Sequence, residues 1–382
     1  MKITIVAGFL LPVPPVRGGA MEKTWHRLAR EFATAGHQVT FVSRSWPGWA
    51  GSETIDGVHH IRRRGADHTR FLALNLVLDF IWGLRVTRAL PPSDVVITNT
   101  VALPVWLRLL KPAAGRVAAV IARMPNGQTK LYGHVDLLYS LSAAVTARIV
   151  SENPSLASRI VAFPMPIDWS LHSASPHTGG APITIGYIGR LHPEKGIALI
   201  LAAAACLAIR TDLPPWRLVL LGPIAVPSGG GGELWLDELR ARHAIALGDR
   251  LIVLSPEFDP VKLADHYRSL DVFCYPSLAE KGETFGVAIA EAMAAGCAPI
   301  VSGLSCFNEL VIDGKTGLVF DHTSADAKTK LAASLGRLLQ DTALRAKLAS
   351  NARNHSRQHD FPVVAASVLG QLTRLVSGES RP

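Results

Sequence analysis

The sequence predicts an α/β protein of two domains, each a parallel sheet covered by helices on both faces. Three observations carry that expectation. Strand-length apolar runs alternate with helix-length stretches along nearly all of the 382 residues. The runs are continuously apolar rather than alternating, as in strands buried on both faces of a parallel sheet. The alternation breaks once, at residues 166–182 (PIDWSLHSASPHTGGAP), where Pro, Ser, Gly and His read as a linker. The expected division is therefore 1–165, a linker over 166–182, a second domain over 183–360, and a helix over 361–382 returning to the first domain.

In the first domain, residues 2–7 (KITIVA) form the opening strand and run into a Pro/Gly loop from Pro12 to Gly19. Met21, Trp25, Leu28, Ala29 and Phe32 recur at helical spacing, and Gly36 suits the end of that helix. A strand follows at Gln38 to Ser43, and further buried strands are expected at 94–98, 117–122 and 136–140. The second domain restarts the alternation at 183–188 (ITIGYI) and continues through 217–221, 250–254, 271–275, 298–301 and 317–320. The uncharged run from Ile197 to Ile209 is too short to span a bilayer and reads as a buried helix. The four glycines 229–232 read as a surface loop. The first sixteen residues lack an A-x-A-like cleavage site, so they read as strand and loop rather than as a secretory leader.

Composition narrows the function classes. The four cysteines all lie beyond residue 205 and form no CxxC pair. That argues against a disulfide framework or structural zinc and fits a reducing, cytoplasmic compartment. The net charge of +9 resides wholly in residues 1–182, the remainder being balanced. An anionic partner for the first half follows, such as a membrane surface or a phosphorylated acceptor. Arg62, Arg63 and Arg64 read as a solvated basic turn before an apolar stretch from Phe71 to Leu84, an arrangement that also suits peripheral contact with anionic lipid. No nucleic-acid motif accompanies the charge, so nucleic acid is not an expected partner.

Three segments carry the chemistry. In 271–321 a strand ends in Pro276-Ser277, a loop brings Glu280, Glu283 and Gly286, and a helix starting near Val287 contains Glu291. A helix N-terminus offers free N–H groups to phosphate, and carboxylates accept from sugar hydroxyls. Glu283 and Glu291, eight positions apart, would lie roughly 12 Å apart if helical throughout. In 185–196 (IGYIGRLHPEKG) Gly189, Arg190 and Lys195 follow a buried strand directly, where two cations could hold a diphosphate. Both cations could equally pair with Glu194 or a neighbour. In the first domain Gly18, Gly19 and Glu22 occupy a glycine pair and the first turn of a helix. No G-x-G-x-x-G follows the first strand, which argues against a simple dehydrogenase.

Together these segments resemble the glycosyltransferase group 1 family of retaining enzymes with the GT-B architecture, two Rossmann-like domains facing across a cleft. The resemblance spans nearly the whole chain and is most specific in GETFGVAIAEAMAAG, NELVIDGKTGLVF and IGRLHPEKG. It implies transfer of a hexose from a nucleotide-sugar donor to a carbohydrate or lipid-linked acceptor. By resemblance, Arg190 and Lys195 would sit on the donor diphosphate, Glu291 on the ribose and Glu283 near the donor sugar. The N–H groups of Phe285 and Gly286 would cover sugar and phosphate, and Gly19 would meet the phosphates from the other domain. No metal or other cofactor is implied, and no D-x-D sequence occurs. Many members place a His after the strand corresponding to 117–122. This chain reads ARMPNGQTK there, leaving Arg123 or Asn126 as sugar- or acceptor-side candidates. A nucleotide-sugar epimerase of the same fold and a non-catalytic nucleotide-sugar-binding protein remain as alternatives.

Overall fold

The computed structural model describes residues 1–174, 180–280 and 282–379. The chain divides into two compact units, Met1–Pro166 with Phe361–Pro382, and Ile167–Asp360. Each is built on its own sheet.

The first unit holds strands β1 (Lys2–Val6), β2 (Gln38–Arg44), β3 (Ser52–Ile55), β4 (Val58–Arg63), β5 (Val95–Thr98), β6 (Arg116–Ile121), β7 (Leu137–Ser140) and β8 (Ile160–Ala162). Their order is β3-β4-β2-β1-β5-β6-β7-β8, parallel except for the β3–β4 pair. Central β1 buries every residue after Lys2, as expected of a strand covered on both faces. The helix Ala20–Thr34 buries Thr24, Trp25, Leu28, Ala29 and Phe32, and Trp25 stacks on Phe163 at 5.2 Å. The C-terminal helix Phe361–Ser377 packs beside it, with Arg27 lying over the Phe361 ring.

The β3–β4 hairpin turns at Asp56-Gly57, where both residues have positive φ, the pairing that a tight two-residue hairpin turn demands. This hairpin corrects the expectation of a solvated basic turn at residues 62–64. Arg62 lies in β4 and is buried. Its Nη1 donates to the Ala50 carbonyl at 2.8 Å and to the Glu53 carboxylate, and its guanidinium lies over Trp49. Stacking on an aromatic face and a carboxylate partner allow the arginine to be buried.

The second unit holds β9 (Ile183–Ile188), β10 (Trp216–Leu221), β11 (Leu251–Leu254), β12 (Val272–Tyr275), β13 (Ala298–Ser302) and β14 (Leu318–Phe320). All pairs are parallel and the order is β11-β10-β9-β12-β13-β14. The helix Ile197–Ala208 is apolar on nearly every side because it packs against the helices Glu233–Leu247 and Ala327–Gln340.

The expected linker is structured in part. Asp168 caps the short helix Trp169–Ser173, accepting from Leu171 N, and His172 of that helix is buried within the second unit. The sequence missed it because five residues carry too little periodicity to register. Residues 175–179 of the expected linker lie outside the described residues.

Candidate active site

In an open parallel sheet, ligands bind beyond the carboxyl ends of the strands, where the strand order reverses. In the second unit that point lies between β9 and β12. The chain leaves β9 through Gly189-Arg190 and leaves β12 through Pro276-Ser277. A single turn, Pro193–Lys195, follows Arg190. At Gly196, with φ +72°, a Cβ would fall 1.9 Å from the Pro276 carbonyl oxygen, so only glycine lets the two loops touch. The Leu278 N–H donates to the Glu194 carbonyl at 2.7 Å and ties them together.

This contact brings Lys195 and Glu283 together, 88 positions apart in the chain. The Lys195 ammonium donates to Glu283 Oε1, and both side chains are almost wholly buried. The same oxygen accepts from Ser277 Oγ at 2.9 Å and from the Tyr275 hydroxyl at 3.1 Å. Tyr275 stacks on Tyr187 at 5.5 Å, and the Tyr187 hydroxyl donates to the Arg190 carbonyl at 2.9 Å. Burial of two charges is costly unless they are paired and their remaining valences filled. Here three donors converge on one carboxylate oxygen. Oε2 of Glu283 accepts no hydrogen bond among the described residues.

Arg190 differs in setting. It is half-exposed, donating to Glu194 Oε1 and to the Gly229 carbonyl, each at 2.7 Å. Burial pushes the Glu194 carboxyl up, but the hydrogen bond from Arg190 and the charges of Lys195 and Arg190 outweigh it and hold the carboxyl below its usual range. The four glycines 229–232, expected as a surface loop, instead pack beneath this segment. Gly230 is buried, Gly231 N–H donates to the Leu191 carbonyl at 2.8 Å, and a Cβ on Gly229 would fall 2.9 Å from Arg190 Cδ. A glycine run reads as solvent loop by composition, yet here small residues are required so that backbone can approach the Arg190 loop.

Beyond Ser277 the chain reaches the helix Val287–Ala295. Glu283 lies in the loop before it, so the Glu283–Glu291 stretch is not helical throughout and the helical spacing does not apply. The Phe285 ring is buried edge-on against His359 at 5.3 Å, while the N–H groups of Phe285 and Gly286 have no partner among the described residues. Free N–H groups at a helix start are the arrangement to which an anion is attracted. The Tyr267 hydroxyl hydrogen-bonds the Glu291 carboxylate, and His172 Nε2 stands 3.8 Å from Glu291 Oε1. Burial holds the His172 ring down at about 4, so at neutral pH it is an uncharged neighbour.

In the first unit the corresponding reversal lies between β1 and β5. Gly18 and Gly19, at φ +80° and +91°, precede the helix Ala20–Thr34. A Cβ on Gly19 would fall 2.2 Å from Glu22 Oε2, so the carboxylate folds back over the glycine. Burial raises the Glu22 pKa, with its own backbone N–H and the charge of Arg123 opposing the rise. Gly19, Glu22 and Arg123 thus form one neighbourhood at this edge. Asn126 is exposed; its backbone N–H donates to Gln128 Oε1, and no contact joins it to Glu22 among the described residues.

Ser277, Tyr275, Tyr187, Tyr267 and His172 went unread in the sequence. The first two follow from position, since the end of β12 at a strand-order reversal is where such partners belong. The others are distant in sequence and carry no local signal.

Two α/β units with these strand ends define a class of protein, the GT-B architecture, and solved structures agree. Over 100% of both chains the fold matches a sucrose-phosphate synthase from Thermosynechococcus elongatus with TM-score 0.76 at 21% identity. It matches Anabaena HepE in complex with UDP with TM-score 0.71 at 18% identity, covering 98% of this chain and 100% of that one. At these identities the likeness concerns the fold. Residues 172–355 match the family described as Glycosyl transferases group 1. A phosphatidyl-myo-inositol mannosyltransferase of Mycolicibacterium smegmatis is 34% identical over 228 residues, 59% of this chain and 54% of that protein. A D-inositol 3-phosphate glycosyltransferase of Stackebrandtia nassauensis is 32% identical over 192 residues, 49% of this chain and 41% of that protein. The matched stretch thus spans about half the length of these curated relatives or less.

Proposed function

We propose that this protein is a retaining glycosyltransferase that moves a hexose from a nucleotide-sugar donor to a hydroxyl of a carbohydrate or lipid-linked acceptor, without a bound metal. The observation that carries this reading is the Lys195–Glu283 pair at the β9/β12 strand ends, beside a helix start with free N–H groups. A diphosphate arriving there meets Arg190, Lys195 and the Phe285–Gly286 N–H groups, which together offset its charge and stabilise it as a leaving group. When Lys195 turns to phosphate, Glu283 keeps its Ser277 and Tyr275 donors, so it stays oriented. Its unpaired Oε2 then accepts from a donor-sugar hydroxyl. Glu291, fixed by Tyr267, accepts from the ribose. Retention follows from same-face attack, with the leaving diphosphate taking the acceptor proton. Protein groups then act mainly by positioning and charge stabilisation.

The names of the relatives point to an acceptor of the inositol phosphate or phosphoinositide type and to a mannosyl-type donor. The excess positive charge of residues 1–182 suits a phosphorylated acceptor.

A thermal-shift panel of UDP, GDP, ADP and their hexose conjugates, with and without EDTA, tests the donor half. A ligand at a hundred times its Kd stabilises the folded state by about 2.7 kcal/mol. The expected result is a shift with one nucleotide family that EDTA leaves intact. A shift abolished by EDTA would overturn metal independence, and no shift with any nucleotide would overturn the donor assignment.

A further inference from the structure

The helix Leu72–Ala89 of the first unit buries only Asp79, Trp82, Gly83 and Val86. Its first half is apolar and open to solvent. Phe71, Leu72, Leu74, Leu76, Val77 and Phe80 are all more than 44% exposed, Leu72 reaching 70%. Leu72, Leu76 and Phe80 recur at i, i+4, i+8 and form one stripe. Soluble proteins seldom display so many large apolar side chains on two turns of a helix unless something covers them.

Position and charge say what covers them. The Asp79 carboxylate accepts from the Val101 and Ala102 N–H groups, just beyond β5, so this half of the helix lies at the carboxyl ends of the strands. That is the edge that carries Gly19 and Glu22. Asp79 is the sole carboxylate between Asp67 and Asp94, and it faces inward. Arg64, Arg70, Arg85 and Arg88 flank the stripe from exposed positions. Arg70 lies over the Phe71 ring, and Arg85 donates to the Arg64 carbonyl at 2.9 Å. Exposed leucines and phenylalanines bordered by arginines, with no exposed acid between Asp67 and Asp94 and Asp67 itself paired to Arg44, match a lipid bilayer that bears anionic headgroups. A second protein surface would need acidic groups placed against each arginine, whereas a bilayer supplies them anywhere.

We propose that the Phe71–Phe80 segment is a membrane-docking element that lays the carboxyl-end edge of the first unit against an anionic lipid surface. The contact is peripheral, since no helix among the described residues is long and apolar enough to cross a membrane. Docking needs no nucleotide and no transfer, so its test is independent of the proposed activity.

The test is co-sedimentation of the full chain with vesicles of phosphatidylcholine alone and of phosphatidylcholine with phosphatidylglycerol, at low and high salt. The wild type should partition onto the anionic vesicles, and less at high salt, because screening weakens the arginine contribution. Leu72→Gln with Leu76→Gln should lower that partition by roughly tenfold or more at unchanged melting temperature, since both side chains already face solvent. Arg64→Gln with Arg70→Gln should weaken binding to anionic vesicles specifically. Absence of sedimentation with anionic vesicles, or equal sedimentation of the leucine double variant, would overturn the proposal. So would a concentration-dependent dimer abolished by the leucine substitutions without vesicle binding, which would assign the stripe to a second copy of the chain.

Discussion

The two units present the same kind of edge, a strand-order reversal followed by a glycine turn and a helix start, yet they furnish it differently. In the second unit Lys195 and Glu283 are buried and bonded to one another before any ligand arrives. Lys195, Glu283, Ser277 and Tyr275 form a closed set in which each polar group supports the next. In the first unit Arg123 and Asn126 are exposed, and Glu22 is half-buried beside Gly19. A pre-bonded set suits a ligand whose charged part is always the same, such as a nucleoside diphosphate. An open set suits a partner that varies, because exposed groups can be exchanged at little cost to the fold.

The largest expected effect follows from the closed set. Removing one member of a buried ion pair leaves the other charge unpaired, typically at 3–5 kcal/mol. Lys195→Met and Glu283→Gln should each lower the stability of the second unit by about that amount, and the double variant should recover most of it. Turnover should fall in all three, by roughly 10²-fold or more, as in the loss of one donor to a developing charge. Denaturant unfolding and transfer assays read both. Additive stability losses in the double variant would mean that the two groups do not act as a pair, and the contrast between the units would lose its basis.

Acid should strike both units, through His60 in the first and His172 in the second. Burial, with Arg62, His26 and His59 adding to it, lowers His60 to about 4, and burial lowers His172 to about 4. The unfolded chain takes up a proton at each ring near pH 6.5, whereas the folded rings stay neutral down to about pH 4. The unfolded state therefore binds more protons in that window. Stability is complete above pH 6.5 and drains away as pH falls towards 4, by up to about 3 kcal/mol for each ring. His172→Gln should flatten the pH dependence of the second unit between pH 6.5 and 4 and leave that of the first unchanged. An unaltered slope would show that His172 titrates normally and that its closeness to Glu291 has another origin.

How much of this was legible in the sequence follows the same contrast. Strands such as β9 and β12, buried on both faces, announce themselves as apolar runs, and Arg190, Lys195 and Glu283 could be picked out as candidates because each lies in a local motif that follows a strand. The Lys195–Glu283 pairing was not, since it joins residues 88 positions apart through a loop contact that only Gly196 permits. The hairpin β3–β4 hid behind His59, His60 and three arginines, because pairing and stacking bury polar side chains that composition assigns to solvent. The glycines 229–232 misled in the same way. Glycine marks close approach as often as exposure, and sequence alone does not say which.

The smallest effect separates the two edges most cleanly, because it compares two arginines that both keep some access to solvent. Arg190 is half-exposed and bound to Glu194 and to the Gly229 carbonyl. Arg123 is exposed and acts on Glu22 through its charge. An exposed ion pair contributes about 0–1 kcal/mol, so neither Arg190→Ala nor Arg123→Ala should shift the unfolding midpoint much. Their kinetics should part company. Arg190→Ala should raise the Kd for the nucleotide by roughly tenfold, since a charge-assisted bond to phosphate is worth about 1.5–3 kcal/mol. Arg123→Ala should leave nucleotide binding intact and change only the dependence of rate on acceptor. Isothermal titration with the nucleotide and acceptor-saturation kinetics read the two effects separately. Equal losses of nucleotide affinity would place both arginines on the donor and remove the division of labour between the edges; no loss at Arg190 would leave Lys195 and the helix start as the whole of the diphosphate site.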